Sequence, residues 1–173
     1  MTSAGLELAG LGIDWTGFLL AMIIVEVTPG PNMGWLAALS AQQGRKAGFA
    51  AIIGITAGLA THLVLAALGV AALIASHPAL YQGLRWAGVA FMLWLAWETW
   101  SAKGEASPSK AQGLANLSRG YIANVLNPKS LVFYVVLLPS FMRPDAGSVS
   151  FQIWVMGLCH LVISVLVHSG VVL

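Results

Sequence analysis

Charge is what this sequence has least of. Eight Lys or Arg and six Asp or Glu make up 8% of its 173 residues, where an ordinary soluble domain carries about a quarter. A chain so poor in charge, and 58% hydrophobic, cannot cover a soluble fold with polar surface. No basic cluster exists either. The net charge of +2 is spread over the linkers, which leaves no footprint for nucleic acid and no polybasic lipid site. No Lys or Arg precedes Arg45, so the basic start of a secretory signal peptide is missing and the first hydrophobic run is expected to be retained. One cysteine, Cys159, lies inside an apolar run. An intrachain disulfide is thereby excluded, and a small packing role is expected for it. Also absent are an HExxH zinc motif, a G-x-S-x-G nucleophile elbow and a pair of membrane aspartates, which counts against an intramembrane enzyme.

What is present is long apolar runs. Five of them, at about 15–39, 47–75, 81–97, 120–141 and 151–173, are near or above the roughly 20 residues that a helix needs to cross a bilayer. The expected fold class is therefore an all-α integral membrane protein, a polytopic helix bundle forming a single transmembrane domain over 1–173. Arg45 and Lys46 fall in the linker 41–46, and Lys103, Lys110 and Arg119 fall in or beside the linker 101–118, whereas the opposite side holds only Arg85 and Arg143. The positive-inside rule then makes both basic linkers cytoplasmic and the N-terminus external. Trp15, Trp86, Trp97 and Trp100 lie near span ends, where indole rings sit at headgroup level. Glu98 reads as an interfacial charge near Lys103.

Two proline breaks organise the chain. Thr28-Pro29-Gly30-Pro31-Asn32 interrupts the first run and Asn124-Val125-Leu126-Asn127-Pro128-Lys129 the fourth. Three helices precede the linker 101–118, so a second copy after it enters the membrane from the opposite side, as in the inverted repeats of many transporters. The first three-helix repeat is expected over 15–100 and an incomplete second one over 119–173. The prolines of the two breaks lie 97 to 99 positions apart, which places a counterpart of the third span near position 180, so five of an expected six spans are present. Proline has no N-H and crowds the carbonyl four residues earlier, so Pro29 and Pro31 should release the carbonyls of Val25 and Val27, and Pro128 that of Asn124. Hydrocarbon cannot satisfy such groups, and broken helices often line a substrate site. Each new half-helix also starts with free N-H groups that favour a carboxylate, and Asn32 and Asn127 add donors there. Pro139, alone near an outer span end, reads as structural.

Lys129 lies about ten residues into its run, a depth at which a charge needs a partner, a water path or a neutral form. Glu26, just before the first break, is the candidate to neutralise it if the broken helices cross; a purely stabilising pair competes with that reading. In the second run Ala50, Gly54, Gly58 and His62 recur every four residues, with the Gly54/Gly58 spacing that lets helix backbones approach. His62 is either a proton relay or a hydrogen-bonded interhelical residue. His160, Ser164 and His168 form a polar stripe, as cavity lining or as helix-to-helix hydrogen bonding. The two histidines are eight apart with no third ligand nearby, so neither a metal nor another cofactor is expected.

Two blocks carry a family resemblance. Thr28-Pro29-Gly30-Pro31-Asn32 with Gly44-Arg45-Lys46-Ala47-Gly48 and Gly54, followed by Gly120-Tyr121 through Asn127-Pro128-Lys129 to Leu138-Pro139-Ser140-Phe141, resembles the lysine-exporter family of translocators, including its homoserine and threonine efflux branch. The resemblance implies a six-helix, dimeric bundle in the bacterial inner membrane that exports amino acids or similar metabolites by proton exchange. Its polar motif positions fall on Pro29, Gly30, Pro31, Asn32, Asn127, Pro128 and Lys129, the expected substrate-binding residues. Glu26 and His62 lie outside that signature and are expected, from the residues alone, to couple protons. A passive channel is the alternative, but isolated polar residues suit an occluded site better than a continuous pore.

The charge asymmetry is checked by placing cysteines at Ala41 and Ser107. Both should resist an impermeant external reagent in intact cells, and labelling of both would reverse the topology.

Overall fold

The computed structural model describes residues 13–69, 76–101, 110–143 and 147–173. Their elements are explained by where proline and caps allow a helix to start and stop. Asp14 caps the first helix, α1 (Trp15–Val27), by accepting a hydrogen bond from the Gly17 N-H at 3.0 Å. Pro29 ends it, and Pro31 opens α2 (Pro31–Gln43) at the first helical position, where its missing N-H costs nothing. Gly44, at φ +82°, turns the chain into α3 (Arg45–Ala67), a conformation that favours glycine. Then follow α4 (Pro78–Ser101), α5 (Lys110–Val125), α6 (Pro128–Val132), a π-helical turn (Phe133–Leu137), α7 (Leu138–Ser140) and α8 (Val149–Val172). No strand occurs among the described residues.

The π-helical turn has a local cause. Pro139 would crowd the carbonyl of Val135, four residues earlier, and a widened turn at that point relieves the clash. Pro139 is thus structural, as its position suggested.

Polarity is arranged inside out. Glu26, Asn32, His62, Asn124, Asn127, His160 and His168 are buried, whereas Leu20, Ile24, Leu93, Val162 and Leu166 are more than half exposed. A soluble protein buries the second group and exposes the first. α3 and α8 are each long and apolar enough to cross a membrane, and so is each bent pair, α1 with α2 (47°) and α5 with α6 to α7 (44°), which makes up to four spans among the described residues. The expected third span lies within α4, which is 24 residues long but carries Gln82, Arg85 and Glu98 and is not among those four. The second expected span runs on into 70–75, outside the described residues, as does 102–109 of the expected linker. The rest of that linker is not extended chain, because α5 starts at Lys110 and reaches the break as one polar-faced helix.

Helix packing depends on residues without side chains. A Cβ on Gly54 would lie 2.0 Å from the Leu117 carbonyl oxygen, one on Gly58 2.9 Å from the Asn124 Cβ, and one on Gly120 2.4 Å from the Ala51 oxygen. The Gly54/Gly58 face therefore seats α3 directly on the backbone of α5. Gly88 does the same for α4 at the second break, where an added Cβ would meet the Leu126 oxygen at 1.8 Å. The apolar core divides in two. One part gathers Phe18, Met22, Leu63, Phe133 and Met156, the other Trp35, Leu36, Ile55, Met92 and Leu95. α1 belongs to the first and α2 to the second, so the break between them falls at the boundary.

Two interfacial expectations resolve here. Trp86, Trp97 and Trp100 are exposed as a headgroup belt requires, but Trp15 packs edge-on against Phe18 at 6.0 Å. Glu98 pairs with Arg119, across α4 and α5, while Lys103 lies outside the described residues. Gly54→Val should cost at least the roughly 1–3 kcal/mol typical of overpacking, since backbone cannot step aside as a side chain can. A lowered unfolding temperature in detergent measures it, and an unchanged one would show that the α3–α5 contact is looser than described.

Candidate functional site

The two breaks meet. Asn32, at the second position of α2, donates through Nδ2 to Asn124 Oδ1 at 2.9 Å, and Ser130 Oγ donates to the same oxygen at 3.1 Å. Asn127 caps α6, its Oδ1 accepting from the Lys129 N-H at 3.0 Å. The carbonyl of Asn124, the one that Pro128 releases, accepts from Asn127 N-H at 3.0 Å and from His62 Nε2 at 3.3 Å. His62 lies stacked on Tyr134, with ring centroids 5.6 Å apart.

Lys129 reaches back across the first break. Its Nζ donates to the Thr28 carbonyl at 2.9 Å and to the Glu26 carbonyl at 3.5 Å, so the ammonium sits at the negative end of α1. Gly30 leaves room for the stem: a Cβ there would stand 3.3 Å from Lys129 Cδ. One expectation is corrected by this. The carbonyls that take the ammonium are those of Glu26 and Thr28, and the Glu26 side chain, expected to neutralise Lys129, is turned elsewhere. The partner of Lys129 is backbone and not the Glu26 carboxylate, which instead accepts from His160 Nε2 at 2.9 Å and has His168 Nδ1 3.9 Å from its other oxygen.

Around this crossing lies a small, partly open space of about 10 Å³, lined by Glu26, Asn32, Asn124, Lys129, Ser130 and His168 among others. That is room for about one water, so admission of anything larger requires the helices to separate. Of the expected site residues, Gly30, Asn32, Asn127, Lys129 and Glu26 line the space. Pro31 and Pro128 face the other way, into an apolar groove of about 470 Å³ between α2 and α4. Pro29 is exposed and contributes the break itself. His62 touches the layer only through the Asn124 carbonyl. Asn124, Ser130, Ser164 and His168 line the space without having been marked as binding residues. Four buried polar atoms of the layer, Glu26 Oε2, Asn32 Oδ1, Asn124 Nδ2 and His160 Nδ1, have no hydrogen-bond partner. Buried groups are normally paired, and exceptions mark sites that do something.

The chemical character follows from the helix ends. α1 and α5 present their negative ends here, α2 and α6 their positive ends, and all four meet in one buried layer. Residues 23–173 match the LysE type translocator family. The chain belongs to this family. It is a multi-pass protein of the bacterial inner membrane. Homoserine/homoserine lactone efflux protein of Salmonella typhi is 29% identical over 160 residues, covering 90% of this chain and 77% of its own. Leucine efflux protein of Klebsiella pneumoniae is 28% identical over 166 residues, covering 93% and 78%. An uncharacterized membrane protein of Vibrio cholerae is 29% identical over 160 residues, covering 90% and 78%. No solved structure matches.

In this translocator the Asn124 side chain joins the two breaks by a single oxygen. Asn124→Ala should leave Asn32 and Ser130 unpaired and destabilise the protein by about 1–3 kcal/mol. Thermal unfolding in detergent reads this, and the effect should vanish when Asn32→Ala and Ser130→Ala are already present.

Proposed function

We propose that the chain exports a small amino acid across the inner membrane in exchange for protons. The observation that carries this reading is the meeting of two negative and two positive half-helix ends in one buried layer, an arrangement complementary to a zwitterion. The α2 N-terminus with Asn32 and the α6 N-terminus with Asn127 receive the carboxylate, and Lys129 swings from the Thr28 carbonyl to join them. Glu26 receives the substrate ammonium or, in its place, a proton, with His62 as relay. Competition of the two cations for one carboxylate supplies exchange without a separate coupling site. Relatives named for efflux of homoserine and of leucine support a substrate with an uncharged side chain.

The architecture that goes with it has five spans of six, two inverted three-helix repeats, cytoplasmic Arg45 and Lys46, and a homodimer as the assembled form. Alternation between a cytoplasmic and an external opening goes with a layer that leaves room for only about 10 Å³. So small a space favours a carrier over a passive channel.

Lys129→Met keeps the apolar stem and removes the charge, so export should fall to background while the protein stays folded. Glu26→Gln should stop proton-driven export and leave only part of the substrate exchange, since the amide still hydrogen-bonds but carries no charge. Both are read in proteoliposomes as efflux and counterflow of labelled homoserine and leucine. A wild-type protein that moves neither, with a survey of culture medium showing no exported amino acid, would overturn the reading.

A further inference from the structure

The geometry around Glu26 points to a different place for the exchanged proton. His160 Nε2 donates to Glu26 Oε1 at 2.9 Å, and both side chains are buried, 1% and 7% exposed. With Glu26 ionised, Nε2 is the nitrogen that carries the proton in this bond, which leaves the lone pair on Nδ1. Nδ1 has no partner, and neither has Glu26 Oε2 nor the Tyr134 hydroxyl. A histidine that only bridged α1 and α8 would have its second nitrogen paired as well. The His160 ring packs against those of Phe133 and Tyr134, with centroids 4.0 and 5.5 Å away.

Every element around the pair has a defined part. His62 of α3 is committed to the Asn124 carbonyl. Lys129 of α6 is committed to the α1 carbonyls. His168 of α8 donates through Nδ1 to the Ser164 carbonyl at 2.8 Å and so keeps 3.9 Å from Glu26. Tyr134 of the π-helical turn stands between His62 and His160. Among the described residues, His160 is the one that combines a hydrogen bond to the carboxylate with an open nitrogen.

We propose that His160 Nδ1, and not the Glu26 carboxylate, carries the exchanged proton. This rests on the export reading and replaces one residue in it. In the external-facing form Nδ1 takes a proton from water, and the imidazolium pairs with the Glu26 carboxylate. In the cytoplasm-facing form the substrate ammonium arrives at Oε2, imidazolium and ammonium repel one another across a single carboxylate, and the proton leaves Nδ1 for cytoplasmic water. One proton enters for each amino acid that leaves, and Glu26 stays ionised throughout.

The test is His160→Gln in proteoliposomes with labelled homoserine and leucine, because Gln can still donate to Oε1 but cannot titrate. Expected is export that no longer responds to a proton gradient or to pH, while counterflow of the labelled amino acids stays measurable. Export by His160→Gln with the wild-type pH profile would overturn the proposal and leave the proton on Glu26. Loss of counterflow in a folded variant would also overturn it, by making His160 part of substrate binding. Infrared difference spectra of the unmutated protein, with labelled histidine, keep the question open to decision if the variant does not fold. Proton binding should shift imidazole ring bands and raise no carboxylic-acid C=O band, and such a band removed by Glu26→Gln would overturn the assignment. Wild-type protein that exchanges neither amino acid would instead overturn the export reading itself.

Discussion

In hydrocarbon, a backbone carbonyl that loses its helical hydrogen bond finds no water to replace it. Each proline break in this protein creates such groups near the middle of a membrane-crossing segment, and the rest of the site can be understood as the response. The carbonyl released by Pro128 is taken by His62 and by the Asn127 N-H. The end of α1 is taken by the ammonium of Lys129. Each break is thus satisfied by a side chain from elsewhere in the chain, so neither can be moved to the lipid face without stranding polar backbone.

Close approach makes this mutual satisfaction reachable. The glycines of α3 and α5 bring the two backbones into contact, and with His62 one turn beyond Gly58 the imidazole arrives beside Asn124. Apolar packing is then confined to two separate groups of side chains on either side of the polar layer.

Much of this was legible in the sequence, because prolines, glycines and charges in an apolar run have few permitted roles. The breaks at Pro29 to Pro31 and at Pro128, the packed face of Gly54 and Gly58, and the depth of Lys129 could all be read from spacing. Partner choice could not. Lys129 and Glu26 are the one deep pair of opposite sign, yet the side chains face different neighbours, because backbone carbonyls at a helix end compete well for an ammonium and leave no trace in residue identity. Histidines spaced by four were visible as a stripe, but which of them meets the carboxylate depends on how α8 rotates against α1. The helical start at Lys110 was hidden by Gly113 and a polar composition, which read as linker until a neighbouring helix is there to pack on.

The two half-helices of the first span have 13 residues each, or about 20 Å apiece at 1.5 Å per residue. In series they exceed a hydrocarbon core of about 30 Å, even when bent by 47°. The hinge is a place where such a surplus can be taken up, since hydrophobic mismatch is relieved by tilting and kinking. A thinner bilayer therefore sharpens the angle between the arms and a thicker one opens it. Since the hinge and the polar layer are the same residues, lipid thickness acts as a mechanical load on Thr28, Gly30 and Lys129, and the composition of the surrounding membrane becomes part of how the site is held.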